Sequence, residues 1–418
     1  MLNIAVLGFG VVGSGTVEVL DKNSDKITLN SGQEIKVKYI LDVRDFPDSP
    51  YSALFTKDFE TILNDPEVVV VVETIGGTGA ALDFTRRCLQ AGKSVVTSNK
   101  ELVAAHGHEL LEIAGDKGVN YLFEASVGGG VPIIRPIAQC MAANIIGEIY
   151  GILNGTTNYI LTDMEKNGAE FETSLLDAQK KGYAEADPTA DIDGHDACRK
   201  ICILSSLAFG RHIYPKHVPT EGIQAITGED MRFAASLGYR IKLLSRARVI
   251  GGKVAAYVAP HLVSKNNLLS GIDGVLNGIV VRGNASGDIL FSGAGAGKMP
   301  TASAVVADVI DAAKHLSQRK LLSWTDGGED IIADPMQLES AWYVRTDASR
   351  EKIMRELGEV IFAADTSAGG LKDVSAGASG GSSAITAFKT AVMSGNKVRD
   401  QLSRGINALS LFRVLSDY

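Results

Sequence analysis

The stretch Asn3-Ile4-Ala5-Val6-Leu7 followed at once by Gly8-Phe9-Gly10-Val11-Val12-Gly13 constrains this chain more than any other segment. A short apolar strand that runs into G-x-G-x-x-G and then into a helical stretch, Gly13–Asp21, has few structural solutions. The first glycine makes a tight turn, the second lets a pyrophosphate approach the backbone, and the third allows close helix–strand packing. Amides at the start of the helix then face the anion. The pattern therefore predicts a dinucleotide site on Gly8, Phe9, Gly10, Val11, Val12 and Gly13.

Downstream the chain repeats this strand-then-helix theme. Strands are expected at Ile35–Leu41, Val68–Glu73, Ser94–Thr97 and Tyr121–Glu124, with helices near Phe59–Leu63, Gly79–Ala91 and Glu101–Lys117. Strands alternating with helices at this spacing predict a parallel, doubly wound sheet. The run VVVVVE is continuously apolar, as a central strand covered on both faces should be. From about Pro132 the rhythm changes. Helices are expected at Val131–Gln139, Asn158–Glu165 and Thr301–Leu316, and strand-like pieces at Gly147–Leu153, Lys253–Leu262, Ile279–Val281 and Asp288–Phe291. That order suits an antiparallel sheet packed on helices. Leu321–Asp334 reads as a linker and Ser340–Tyr418 as a third, small unit. Inside it, Thr366–Ser383 is a Gly/Ser/Ala loop.

The second strand ends Leu41-Asp42-Val43-Arg44, and its Asp42 and Arg44 argue in opposite directions. A carboxylate there bonds a ribose 2′-hydroxyl and an arginine receives a 2′-phosphate. The balance leans to NADP, with NAD possible. Lys100, just past the carboxyl end of a parallel strand, lies where such sheets bind ligands. The segment Gly194–Gly210 is helical and apolar almost all round, with Asp196 and Lys200 one turn apart on a stripe continued by Ile203 and Leu207. Desolvating a carboxylate and an ammonium costs several kcal/mol, so a buried pair of this kind points to function. Gly377-Ala378-Ser379-Gly380-Gly381 matches G-x-S-x-G but sits in the Gly/Ser/Ala loop, not at a strand-to-helix turn, and is read as chance.

Composition narrows the class. With a net charge of −8, 45% hydrophobic residues and no Lys/Arg run, the chain lacks the footprint of a nucleic-acid binder. No apolar run has the length of a membrane span. The N-terminus lacks a signal peptide's basic region, and the four cysteines form no CxxC pair. A cytoplasmic enzyme without nucleic-acid or membrane partners is the expectation.

Taken together, GFGVVG, TSNKE, FEASVGGGVPIIR, GILNGTTNYIL, GYAEADPTADIDGHDACRK and GAGAGKMPTASAV resemble the homoserine dehydrogenase family, in its order, over residues 1–320. The resemblance implies an NAD(P)-binding Rossmann domain (1–134), an α+β catalytic and dimerisation domain (135–320) and an ACT-like tail (340–418) that lacks the usual DxPGVL turn. It implies reversible reduction of L-aspartate 4-semialdehyde to L-homoserine with NADPH or NADH, in a homodimer or homotetramer. By motif, Lys200 matches the proton donor and Lys100 the lysine beside nicotinamide and substrate. Gly182, Glu185, Asp191 and Asp196 match the substrate-holding loop, Glu185 and Asp196 being the carboxylates for the ammonium. Thr74, Gly295 and Gly297 match further cofactor positions. Glu124, with Val127, Gly129 and Val131, matches a monovalent cation site, usually sodium. Two alternatives stand beside this reading: a dehydrogenase of another amino-acid semialdehyde, and a dinucleotide-binding sensor without catalysis.

Overall fold

The computed structural model describes residues 1–320, 322–364 and 385–415. The expected Thr366–Ser383 loop and its G-x-S-x-G lie outside them. The chain divides into two compact units, one of Met1–Ile149, Arg199–Val218 and Val280–Asp330, the other of Tyr150–Cys198, Pro219–Ile279 and Ile331–Tyr418.

In the first unit, β1 (Leu2–Leu7), β2 (Ile35–Leu41), β3 (Phe55–Thr56), β4 (Val68–Glu73), β5 (Ser94–Thr97) and β6 (Tyr121–Leu122) form one sheet in the order β3-β2-β1-β4-β5-β6. Every pairing is parallel, so this is the doubly wound sheet expected. The order reverses between β1 and β4, and the glycine turn leaves the carboxyl end of β1 at that switch point, where such sheets bind ligands. Ile4, Val6, Val70, Val72 and Val96 are fully buried. The helix expected at Thr301–Leu316 runs Lys298–Lys314, and its Val305, Val306 and Val309 fill this same core.

The linker expectation is corrected. Trp324 is buried, its indole N–H donates to His212 Nδ1 at 2.9 Å, and the His212 amide donates to the Thr325 carbonyl at 2.8 Å. Further along, the Val254 amide donates to the Ile331 carbonyl at 2.7 Å, and the Ala333 amide to that of Val254 at 2.9 Å. A segment with its backbone hydrogen bonds and apolar side chains committed in this way is part of the folded units, not a tether. The helix expected at Val131–Gln139 is found from Ile134, and from Pro136 to Cys140 it is π-helical; Pro136 has no amide to donate back to Pro132, so the helix cannot reach Val131 in regular form.

Later strands are β7 (Ile146–Ile152), β8 (Tyr239–Ile250), β9 (Lys253–Ser264), β10 (Leu276–Gly283), β11 (Gly287–Ala294), β12 (Glu339–Thr346), β13 (Val360–Phe362), β14 (Thr386–Thr390), β15 (Met393–Ser394) and β16 (Ala408–Leu415). The sheet of the second unit runs β8-β9-β16-β12-β14-β13. β8 and β9 are an antiparallel hairpin, whereas β16 pairs with β9 in parallel, Arg413 opposite His261. The tail has its own core of Trp342, Val344, Ile353, Phe388 and Val398. It is also fastened by charge. Buried Asp230, in helix Gly228–Ser236, accepts hydrogen bonds from Tyr343 Oη at 2.9 Å, Arg345 Nε at 2.8 Å and Ser410 Oγ at 3.1 Å.

Candidate active site

The glycine turn lies in the first unit. Gly8 has φ +93°, and a Cβ there would stand 2.9 Å from the Thr74 carbonyl oxygen. A Cβ on Gly13 would overlap the Gly8 carbonyl oxygen at 1.9 Å and crowd Thr74 Oγ1 at 2.7 Å, whereas one on Gly10 would meet nothing within 4 Å. The outer glycines thus serve packing and the middle one faces open space. Gly10 caps the helix Val11–Lys22 without any side-chain hydrogen bond, which leaves the first amides of that helix for an anion. Thr74 Oγ1 lies 3.0 Å from the carbonyl oxygens of Leu7 and Gly8 and so braces the turn.

Asp42 and Arg44 do not oppose one another; they are paired. Arg44 Nε and Nη2 each reach the Asp42 carboxylate at 3.0 Å, and the Phe9 amide donates to Asp42 Oδ2 at 2.7 Å. The Arg44 guanidinium, helped by the backbone amides of Arg44 and Phe9, holds the Asp42 carboxyl down at about 2. Arg44, Phe46, Phe55 and Lys57 line a cavity of about 240 Å³ beside this pair.

Glu73, at the end of β4, is fully buried, and no sequence motif marks it as part of the site. Its Oε1 accepts from the Ile75 and Gly76 amides at 2.7 and 3.3 Å, and its Oε2 from the Thr97 hydroxyl at 2.6 Å. Burial pushes its carboxyl above the ordinary range, against those hydrogen bonds. Thr97 Oγ1 accepts the Asn99 amide at 2.9 Å, and the Asn99 side chain caps the helix Lys100–Lys117 while donating to the Gly77 carbonyl at 2.7 Å. One carboxylate therefore joins the loops after β4 and β5, and Lys100 is the first residue beyond them. Lys200 is 7% exposed, on helix His195–Phe209, and Asp196 one turn earlier is 3% exposed. The burial expected of both is found. Arg199 Nη2 reaches Glu101 Oε1 at 3.0 Å, which ties the helix of Lys200 to the helix of Lys100.

Glu124 is buried, but its carboxylate is committed. Oε1 accepts the Ile133 and Ile134 amides at 2.6 and 2.8 Å, and Oε2 the Arg135 amide at 2.8 Å. Asp308 takes the Glu124 amide at 2.8 Å and Arg135 Nη2 at 2.7 Å; burial pushes its carboxyl up to about 7, opposed by Arg135. The loop holding Val127, Gly129 and Val131 docks on the late glycine loop. The Gly130 amide donates to the Ala294 carbonyl at 3.0 Å, and a Cβ on Gly129 would stand 2.4 Å from the Gly295 carbonyl oxygen. Gly297, at φ +117°, caps helix Lys298–Lys314 with no side-chain hydrogen bond.

The second unit carries a separate acidic constellation. Asn154 Nδ2 donates to Asp191 Oδ1 at 2.7 Å and to Asp196 Oδ2 at 2.9 Å. The Thr156 hydroxyl lies 2.6 Å from the Tyr183 carbonyl oxygen and 3.1 Å from Asp191 Oδ2. Asp191 and Asp196 are thus brought together, whereas Glu185 and Gly182 (φ +73°) lie on the exposed part of the same loop. Asn154 and Thr156 belong to GILNGTTNYIL, and sequence reasoning assigns them no role; an Asn placed just before a helix is the one local signal they give.

A doubly wound parallel sheet with an open glycine turn at its switch point is the architecture of a dinucleotide-binding oxidoreductase. Residues 8–124 match the family model "Homoserine dehydrogenase, NAD binding domain", and residues 132–310 the model "Homoserine dehydrogenase". The homoserine dehydrogenase of Neisseria gonorrhoeae is 43% identical over 359 residues, 84% of this chain and 82% of that one. The crystal structure of the Thiobacillus denitrificans homoserine dehydrogenase superposes with a TM-score of 0.85 at 34% identity, covering 99% of this chain and 98% of that one. A hyperthermophilic archaeal homoserine dehydrogenase solved in complex with NADPH matches with a TM-score of 0.64 at 28% identity, over 74% of this chain and 97% of that one. The chain belongs to the homoserine dehydrogenase family, oxidoreductases that act on a CH–OH group with NAD(P).

Proposed function

We propose that, in the family's interconversion of L-aspartate 4-semialdehyde and L-homoserine on the route to threonine, methionine and isoleucine, Lys200 is the proton donor. The observation that carries this is a lysine buried one turn from a buried aspartate on helix His195–Phe209. The bound dinucleotide supplies the hydride for the aldehyde carbon. Lys200 polarises the carbonyl and delivers a proton to the developing alkoxide oxygen; in the reverse direction it takes the hydroxyl proton. Lys100 would lie beside nicotinamide and substrate, a reading supported by the Glu73–Thr97–Asn99 network that braces the turn before it. Asp196, Glu185 and Asp191 hold the amino-acid end, with Gly182 opening their loop, and this orientation is the protein's remaining contribution.

The open space at Gly10 and the uncapped helix Val11–Lys22 fit a dinucleotide pyrophosphate, held by Gly8 to Gly13 with Thr74, Gly295 and Gly297 around it. NADP is the preferred form in this reading, with NAD accepted, because Arg44 and Lys57 flank the cavity at the end of β2. A sodium ion would be held by backbone carbonyl oxygens of Glu124, Val127, Gly129 and Val131, since the Glu124 carboxylate is taken by amides; neutral oxygens suit a hard, singly charged ion.

Apart from the two-residue β15, the described elements of the tail follow the order β12, helix Arg350–Leu357, β13, β14, helix Gly395–Ser403, β16, which supports an ACT-like βαββαβ module. The enzyme works as a homodimer or homotetramer in the cytoplasm. Four free cysteines fit a reducing compartment, and no helix among the described residues is long and apolar enough to cross a membrane. Steady-state oxidation of L-homoserine with NAD⁺ and NADP⁺ in parallel, for the parent chain and Lys200→Ala, tests the reading. Lys200→Ala retaining more than about half of the parent's turnover, against the 10²-fold or larger loss expected of a general acid, would overturn it.

A further inference from the structure

Glu73 ends β4 between two other strands of the parallel sheet, opposite Leu7 of β1 on one side and Thr97 of β5 on the other. It is fully buried, and among the described residues no lysine, arginine or histidine pairs with it. Neutral donors converge on it instead. The Ile75 and Gly76 amides reach Oε1 at 2.7 and 3.3 Å, and the Thr97 hydroxyl reaches Oε2 at 2.6 Å. A carboxylate suits that set because both of its oxygens accept, whereas a glutamine would present a donor to one side. A buried charge without a cation is nevertheless costly, which points to a task at that place.

The hydrogen bonds around Glu73 close into a ring. Thr97 Oγ1 accepts the Asn99 amide at 2.9 Å, and Asn99 Nδ2 donates to the Gly77 carbonyl at 2.7 Å, back on the loop whose first amides Glu73 holds. Packing does not fix that loop. Gly76 and Gly77 have φ of +87° and +65°, and a Cβ on either would meet nothing within 4 Å. Its position therefore comes from Glu73 and Asn99. The same Asn99 starts the next helix, its Oδ1 accepting the Leu102 amide at 3.1 Å and its carbonyl the Val103 amide at 3.1 Å. Lys100 lies inside that first turn. We infer that Glu73 is a positioning residue for the reaction: it locks loop 75–77 to the first turn of helix Lys100–Lys117 and so fixes where Lys100 stands. This rests on the proposed place of Lys100 beside the reacting groups.

The test is a double-mutant cycle in the full chain, reading NADP⁺-linked oxidation of L-homoserine. Glu73→Gln keeps the size of the side chain and sets an NH₂ group among the converging donors. Alone it should lower kcat about tenfold or more, because a small misplacement of a reacting group is costly. In a Lys100→Ala background the same change should lower kcat by less than about twofold, since no lysine is left to misplace. A side chain that only held the fold together would cost the same factor in both backgrounds. NADPH affinity, read by nicotinamide fluorescence, should stay within about threefold. If Glu73→Gln does not fold, Asn99→Ser carries the same cycle: it keeps a capping oxygen and loses the bond to the Gly77 carbonyl, and a loss of about threefold or more is expected. Equal losses in both backgrounds, no loss at all, or a loss that falls on NADPH affinity instead of turnover would overturn the inference. Lys100→Ala separates the two levels. If it lowers turnover and Glu73→Gln does not, only the role of Glu73 falls; if it leaves turnover unaltered, the reading of Lys100 falls and the inference with it.

Discussion

Arg199 and Glu101 meet at 3.0 Å, and each is the chain neighbour of a lysine, Lys200 on one helix and Lys100 on the other. Both side chains are about one-third exposed, so the pair adds little stability, roughly 0.2–1 kcal/mol. Its consequence is registration of the two helices. Glu101→Gln should leave the melting temperature almost unchanged while lowering kcat/KM for homoserine by about threefold or more, since small misplacement of reacting groups is costly. Stopped assays beside thermal melts read both numbers. An unchanged kcat/KM would show that the lysines hold their places without the pair.

Lys200→Ala and Lys100→Ala should part company with the cofactor-loop variants. Each should lower turnover, Lys200→Ala by about 10²–10⁴-fold. Binding of NADPH, followed by the fluorescence of its nicotinamide, should be nearly unaltered in Lys200→Ala. A large loss of NADPH affinity there would move Lys200 from the chemistry to the cofactor.

Arg44 leans on Asp42, and Asp42 is pinned by the Phe9 amide. Arg44→Ala should weaken NADP⁺ by about tenfold or more and leave NAD⁺ nearly unchanged, because one phosphate contact is lost and the ribose-facing carboxylate remains. Parallel titrations with the two cofactors check it. Equal losses would mean that Arg44 only supports the loop.

His212 should make the first unit acid-sensitive. Its Nδ1 accepts from Trp324 Nε1–H at 2.9 Å and its Nε2–H donates to the Ala104 carbonyl at 2.9 Å, the neutral tautomer. Burial lowers its pKa, so the folded state resists a proton that the unfolded chain takes up below about 6.5. Stability from this group is therefore complete above that pH and is lost as pH falls toward the depressed folded value. The melting temperature should fall as pH drops below about 6.5, and His212→Gln should flatten that part of the profile. A melting temperature that does not fall as pH is lowered from about 7 to 5 would contradict the assignment.

Asp230 joins helix Gly228–Ser236 to the tail through Tyr343, Arg345 and Ser410. Asp230→Ala strands two buried hydroxyls, of Tyr343 and Ser410, and part of a buried guanidinium, and should cost about 3–5 kcal/mol. Chemical denaturation measures it. A loss below about 1 kcal/mol would show that the cluster is dispensable.

The parallel sheet is legible in the sequence because its signals are local: glycines at the turn, an unbroken valine run, and strands at Ile35–Leu41, Val68–Glu73 and Ser94–Thr97 where the apolar runs stand. β8 is not. Arg240, Lys242 and Arg246 interrupt its apolar pattern, yet Lys242 is buried, its Nζ donating to Asn158 Oδ1 at 2.9 Å and the Ile272 carbonyl at 2.8 Å. Burial lowers that ammonium to about 8. Its partners lie far away along the chain, and no window of sequence contains them. The same holds at the site. Asp196 and Lys200 announce themselves by an apolar stripe on a single helix, whereas Asn154 acts on residues 37 and 42 positions away. In the sequence Glu124 is a carboxylate among glycines and suits a cation; only the folded chain reveals that three amides use it.

The parallel seam between β9 and β16 has a consequence for synthesis. Val263 and Leu415 are register partners separated by most of the second half of the chain. While a ribosome makes this protein, the His261–Val263 end of β9 must wait with its edge bare until residues 408–415 have emerged. Pairings of such long range close slowly, and an open strand edge is a site for adventitious pairing with other nascent chains. Translation halted before residue 408 would thus release a polypeptide whose glycine turn is already built and whose second sheet still lacks a member.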